Sequence, residues 1–151
     1  MADTKKPIPT RQAALDAYIT LRRAGNTIAA KLNRHITDNH LTAGQFGILE
    51  ALFHLGPLSQ QQLAKKILSS KGNITMIIDN LEKQAIVKRT ASPHDRRTTI
   101  IQLTPQGKKM ISKIVPNHLK KIVTMMSVLT VTEMMELKRL CKKVGLSINK
   151  E

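Results

Sequence analysis

Between Leu63 and Thr104 the hydrophobic spacing changes twice, and that change limits what this chain can fold into. Leu63, Ala64 and Ile67 suit one face of a short helix, and Ile74, Ile77, Ile78 and Leu81 suit one face of a second. Between them, Ser69 or Ser70 is placed to cap the second helix. The period then shortens: Ile86, Val87 and Arg89 fit one strand, and Thr99, Ile101 and Leu103 alternate as another. The intervening stretch, Ala91 to Thr98, holds Pro93, His94, Asp95, Arg96 and Arg97. Two helices across a tight turn, followed by a basic hairpin, form a helix-turn-helix with a wing. Such a unit suits duplex DNA, one helix entering the major groove and the hairpin reaching a minor groove.

The flanks read as helix. Thr10 is placed to cap a long first helix whose Leu15, Tyr18, Ile19, Ile28, Leu32 and Ile36 form a stripe, weakened at Gly25 and broken at Asp38-Asn39-His40. Thr42 and Gln45 form a capping box ahead of Phe46, Leu49, Leu52 and Phe53; Gly56-Pro57 ends that helix. Ser59 and Gln62 form a second box. Thr104-Pro105 starts a long helix with an expected kink at Pro116. Thr130 and Glu133 open the last helix; Met134, Leu137, Leu140 and Val144 are expected to face inward and Gly145 to end it. The fold class is thus mainly α with a small β-wing. A tail (1–9) precedes a single domain (10–151), in which a winged helix-turn-helix lobe (41–105) lies between N- and C-terminal dimerisation helices (10–40 and 106–151).

Charge agrees with a phosphate-rich partner. Lys and Arg number 25 against 10 acids, a net +15. From Lys65 to Lys109 there are ten basic residues and three acidic ones, the densest excess in the chain. With 151 residues, a single domain buries roughly 70% of its unfolded surface and needs no staple. The lone Cys141 leaves no disulfide partner in the chain and no multi-cysteine zinc site, as suits a reducing cytoplasm. No secretory signal or membrane-spanning run is read, so no membrane partner is expected. The five histidines show no i, i+4 ligand pair, so no metal or cofactor is expected. No nucleophile–base set, glycine-rich phosphate loop or paired carboxylates suggest an enzyme.

The residues expected to meet DNA follow from this layout. Ser70, Lys71, Asn73, Thr75 and Met76 occupy the early turns of the second helix. Asn73 suits adenine and Met76 a thymine methyl. Lys65, Lys66, Lys71 and the helix start at Ser59 suit phosphates.

Leu41-Thr-Ala-Gly-Gln-Phe46, Gly56-Pro-Leu-Ser-Gln60, Ile74-Thr75, Ile78-Asp-Asn-Leu-Glu82, Asp95-Arg-Arg97 and Leu103-Thr-Pro-Gln-Gly107, in this order and spacing, resemble the MarR family of bacterial transcription regulators. The resemblance covers about residues 10–145. It implies a homodimer whose first and last helices interlock, two lobes on one pseudo-palindromic operator, and repression relieved by a small ligand or an oxidant. It implies that Asp95 supports the wing while Arg97, with Arg96 beside it, enters the minor groove. Asp79 is expected to tie the recognition helix to its lobe. Met76 stands where many relatives carry arginine, so base contacts here depart from the family pattern. By the same resemblance Tyr18, Arg22, Phe46, Leu49, Phe53 and His118 are candidates for a pocket taking a small aromatic or phenolic effector. Two alternatives stay open: a constitutive or architectural DNA-binding protein without a ligand, and a thiol-based redox sensor. Peroxide-sensing relatives keep their cysteine near the chain start, and Cys141 stands elsewhere.

Overall fold

Side-chain caps set where the helices begin. The computed structural model describes residues 10–67 and 71–148, with Lys71 and Gly72 described by backbone alone. The tail (1–9) and the capping serines Ser69 and Ser70 lie outside the described residues. The elements are α1 (Arg11–Asp38), α2 (Ala43–Leu55), β1 (Leu58–Ser59), α3 (Gln60–Lys66), α4 (Lys71–Lys83), β2 (Val87–Ala91), β3 (Thr99–Leu103), α5 (Pro105–Met126) and α6 (Val131–Ile148). Thr10 Oγ1 accepts from the Ala13 amide at 3.3 Å. The boxes at Thr42–Gln45 and Ser59–Gln62 close in both directions, each satisfying two orphan donors of a first turn. At α6, Glu133 accepts from the Thr130 amide at 2.7 Å, and Thr130 Oγ1 accepts in return from the Glu133 amide at 3.3 Å.

Helix ends follow from backbone geometry. At α1, His40 takes φ 60°, the His40 amide donates to Thr37 O and the Leu41 amide to Ile36 O. At α4, Ala85 takes φ 57°, the Ala85 amide donates to Glu82 O and the Ile86 amide to Leu81 O. Both are left-handed terminations with paired backward hydrogen bonds, made without glycine. Gly56, at φ 78°, ends α2. Gly145 departs from expectation. A glycine stops a helix by turning left-handed, and among the described glycines only Gly56 has a positive φ. Gly145 therefore stays helical and α6 runs on to Ile148. α5 runs through Pro116 as one helix to Met126, with Pro116 on its exposed side.

The sheet has the order β1-β3-β2, antiparallel throughout. Val87 pairs with Leu103 and Ala91 with Thr99, which fixes the hairpin; Leu58 opposite Ile101 adds a third, very short strand that the sequence pattern did not reveal. Ile86 precedes β2 rather than joining it, and is buried at the corner.

The core sits in the lobe. Ile48, Leu49, Leu63, Ile74, Ile78, Leu81, Val87, Ile101 and Ile111 are fully buried. α5 docks through Ile111, Ile114, Val115 and His118, a single helical stripe. Its start is held tightly: Thr104 Oγ1 donates to Ala85 O at 2.6 Å and accepts from the Gly107 amide at 3.0 Å. A Cβ on Gly107 would stand 2.0 Å from Ile86 O, so only glycine allows this approach. The terminal helices differ. Of the α1 stripe only Ile36 is buried, while Leu15 and Tyr18 are exposed. None of the described residues of α6 is buried. Leu137, Leu140 and Val144 are 39–50% exposed rather than buried, so much of their apolar face stays uncovered in a single copy. Among the described residues, no helix is long and apolar enough to cross a membrane.

Candidate nucleic-acid interface

α4 is amphipathic, and its buried side decides which residues point out. Ile74, Ile77, Ile78 and Leu81 anchor it to the core. Asn73, Thr75, Met76 and Asn80 lie on the opposite, exposed side. Met76 is 59% exposed, an unfavourable place for an apolar side chain unless something covers it. Asn80 shares a stripe with Asn73 and Met76, at i, i+3 and i+7, and was not expected from the sequence. Its position at the far end of the helix gave no signal there.

α3 packs across α4 and is joined to it by a hydrogen bond from Gln60 Nε2 to Thr75 Oγ1 at 2.6 Å. Lys65 and Lys66 extend, exposed, from its last turn. Ser59 caps α3: its hydroxyl accepts from the Gln62 amide at 3.2 Å and its own amide donates to Gln62 Oε1 at 2.8 Å. Ser70 lies outside the described residues, as does the side chain of Lys71.

The wing is built around Asp95. Its Oδ1 accepts from the Arg97 amide at 2.9 Å and its Oδ2 accepts from the Thr98 hydroxyl at 3.1 Å. The Thr98 amide returns to Asp95 O at 2.9 Å. These three bonds fold the backbone that carries Arg97. Arg96 and Arg97 are both exposed at the tip.

An ion-pair cluster joins wing and recognition helix. Arg89, on β2, donates to Asp79 and to Glu82, both on α4, and its backbone amide also donates to Glu82 at 3.2 Å. Desolvation opposes the charge on Arg89, but the hydrogen bonds to Asp79 and Glu82 outweigh it and raise the guanidinium above its ordinary value. The expected role of Asp79, tying the recognition helix to the lobe, is what its partner shows. Arg89, like Asn80, was not singled out from the sequence, where it appeared only as a strand position.

The six effector candidates fall in three places. Phe46 and Leu49 are core, and Phe46 stacks obliquely on His118 with ring centroids 4.4 Å apart. Phe53 lines a hollow with Leu52, Gly56, Pro57, Gln102, Leu103 and Lys108. Tyr18 and Arg22 stand one turn apart on the exposed side of α1. His118 also meets His35, with centroids 6.0 Å apart, so two histidines remote in sequence share one buried site. Among the described residues, neither His35 Nε2 nor His118 Nδ1 has a hydrogen-bond partner. Burial lowers the His118 pKa, Glu50 opposing this and His35 adding to it. One turn along the same α1–α5 seam a cleft of about 310 Å³ is lined by Lys31, Lys120 and Lys121 with Leu32 and Met125.

An exposed polar face on the second helix of a helix-turn-helix, beside an arginine-tipped hairpin, defines a winged helix-turn-helix DNA-binding protein. The comparisons with known proteins narrow the class. Residues 41–99 match the MarR family. The HTH-type transcriptional regulator MhqR of Bacillus subtilis (strain 168) is 38% identical over 136 residues, spanning 90% of this chain and 94% of MhqR. The chain belongs to the MarR family and is a transcriptional regulator. Among solved structures, Sco3205 of Streptomyces coelicolor, a MarR family regulator in complex with DNA, has the same fold with a TM-score of 0.83 at 19% identity, covering 94% of this chain and 91% of that one. BpsR of Bordetella bronchiseptica, whose DNA binding is regulated by 6-hydroxynicotinic acid, is 26% identical with a TM-score of 0.74, covering 86% of this chain and 98% of that one.

Proposed function

We propose that this protein acts in the cytoplasm, without catalytic chemistry of its own, as a homodimeric repressor that holds a pseudo-palindromic operator until a small aromatic or phenolic effector releases it. The observation that carries the DNA reading is the exposed face of α4, with Asn73, Thr75 and Met76, together with the exposed Arg96 and Arg97 at the tip of the hairpin that Arg89 ties to α4. Asn73 pairs with adenine and Met76 touches a thymine methyl, Ser70 and Thr75 being further DNA contacts; Lys65, Lys66, Lys71 and the helix start at Ser59 serve phosphates. Arg97, seated by Asp95, enters the minor groove with Arg96 beside it.

Dimerisation is supported by the unpartnered apolar faces of α1 and α6. A hollow lined by Ala17, Leu21 and Ala24 of α1 and by Leu137 of α6 offers a seat for a helix of a second copy. The effector reading rests on BpsR and on the site around Phe46, Leu49 and His118. Tyr18 and Arg22 join that site only when a second copy covers α1, and Phe53 lines the far end of α2. The neighbouring lysine cleft supplies positive charge for a carboxylate or phenolate.

The test is fluorescence anisotropy on the promoter region of the gene that encodes the protein, against random duplex, with and without a panel of aromatic acids, phenols and quinones. Specific binding is expected at half-sites about one helical turn apart, with release by at least one compound. Equal affinity for random DNA at physiological salt would refute the operator. Specific binding that no compound relieves would refute the effector.

A further inference from the structure

Along the second half of α5, the seam with α1 opens into the cleft of about 310 Å³. Three lysines line it: Lys31 from α1, and Lys120 and Lys121 from α5. On α5, Asn117, Lys121 and Met125 stand at i, i+4 and i+8, with Lys120 and Thr124 in the next row, so one face of the helix turns to the cleft. Unpaired lysines are ordinary in a chain with 25 basic residues against 10 acids. Three that converge on one hollow from two helices are not, because like charges there repel. Among the described residues no carboxylate lines the cleft, and none of the three lysines forms an ion pair, whereas Arg89 and Arg139 do.

The charge count selects the ligand. A carboxylate or phenolate brings one negative charge, which leaves +2 among these three lysines. A phosphate monoester brings nearly two, with three acceptor oxygens for the three ammonium groups. Lysine suits it as a compact point charge that needs no planar partner. Leu32 and Met125 border the same hollow and offer apolar surface to an organic group. The Thr124 hydroxyl donates back to Lys120 O at 2.9 Å, so the neutral donor left beside the lysines is the Asn117 amide. The volume lies at the low end for small-molecule sites, roughly 300–1,000 Å³, which leaves room for a phosphate and a single ring.

We infer that the α1–α5 cleft is a binding site for a small phosphate monoester, its dianion held by Lys31, Lys120 and Lys121 and its organic part resting on Leu32 and Met125. This deepens the effector reading, and rests on that reading for control of the operator but not for binding. It narrows the anionic end of the ligand to a doubly charged group. A ligand so held ties α1 to α5, because the lysines come from both.

The full chain is titrated by calorimetry, without DNA and in phosphate-free buffer. The probes are phenyl phosphate, its singly charged analogue phenyl sulfate, and inorganic phosphate. Phenyl phosphate should bind at one site per chain, at least about 5-fold tighter than phenyl sulfate. It should also bind tighter than inorganic phosphate, which has no ring to bury. Lys31→Gln and Lys121→Gln should each weaken phenyl phosphate by about 5- to 20-fold. Lys138→Gln, on α6 and outside the cleft, removes the same charge and should change the affinity by less than about 2-fold. Met125→Ala should weaken phenyl phosphate and leave inorganic phosphate unchanged. Absence of binding to the wild type overturns the inference, as do equal affinities for the phosphate and sulfate esters. A Lys138→Gln loss that matches that of Lys31→Gln marks diffuse attraction by a basic surface and overturns it too. Loss of operator affinity in the ligand-free Lys31→Gln and Lys121→Gln variants makes these lysines DNA contacts, with the same consequence. Operator release by phenyl phosphate is read separately by anisotropy. Binding that the cleft variants abolish, without release, upholds the site and refutes the effector reading alone.

Discussion

Asp95 carries the sign that simple charge counting gets wrong. A carboxylate beside phosphates is repelled, yet its two oxygens hold the Arg97 amide and the Thr98 hydroxyl. Arg97→Ala should cost about 1–3 kcal/mol in operator affinity with thermal stability unchanged. Asp95→Ala should weaken binding too, because the turn that presents Arg97 loosens; tighter binding would mean the carboxylate is only a repulsive neighbour. Ala85 makes a different argument. At φ 57° it pays the Cβ clash of the left-handed region, so Ala85→Gly should raise stability by about 0.5–1 kcal/mol, measured by urea titration. Gly107→Ala should do the opposite. Its new Cβ meets a backbone oxygen that cannot move without shifting Ile86, and a loss of about 1–3 kcal/mol is expected.

Among the elements, α5 is where titration and packing meet. Its buried stripe ends at His118, wedged between Phe46 and His35. Unfolded, this imidazole protonates near its ordinary value of about 6.5. Folded, burial lowers that value, so below about pH 6.5 the unfolded chain binds more protons and stability falls with pH. Above it the group contributes no slope. The melting temperature of the wild type should drop on acidification through pH 6.5 to 5 more steeply than that of His118→Gln. Parallel curves would remove His118 from the acid response.

Across the whole molecule the decisive fact is imbalance. The lobe has a closed core, while α1 and α6 leave Leu15, Leu21, Leu137, Leu140 and Val144 in solvent. That surface costs roughly 25 cal/mol per Å² of apolar area while it stays wet, which favours pairing of copies. Removing residues 130–151 should yield monomer or aggregate by analytical ultracentrifugation, with poor operator affinity; a truncated chain that dimerises and binds normally would exclude α6 from the interface. Cys141 lies exposed on the same helix. Peroxide should leave operator binding unchanged. Peroxide release that disappears in Cys141→Ser would make the protein a thiol sensor.

Local rules made much of this legible in the amino-acid order. The capping boxes at Thr42, Ser59 and Thr130, the apolar stripe of α4 and the alternation in β3 depend on neighbours within a few residues, and each stands where the spacing placed it. The Asp95 turn is local as well. Other features needed contacts remote in sequence. β1 is two residues long and exists only because Ile100 and Ile101 lie opposite it. Arg89 becomes an anchor only once β2 returns beside α4. His35 and His118 meet because α1 and α5 pack together, and no spacing along the chain brings two such rings to one buried site. Gly145 looked like a stop, but a helical glycine and a terminating one differ only in backbone angle, which residue identity leaves open. The order of residues thus determined a winged helix-turn-helix and its basic tip, because those rest on periodicity, caps and charge. Tertiary packing alone decided which side chains meet across elements, because burial and hydrogen bonding between distant segments are properties of the assembled surface.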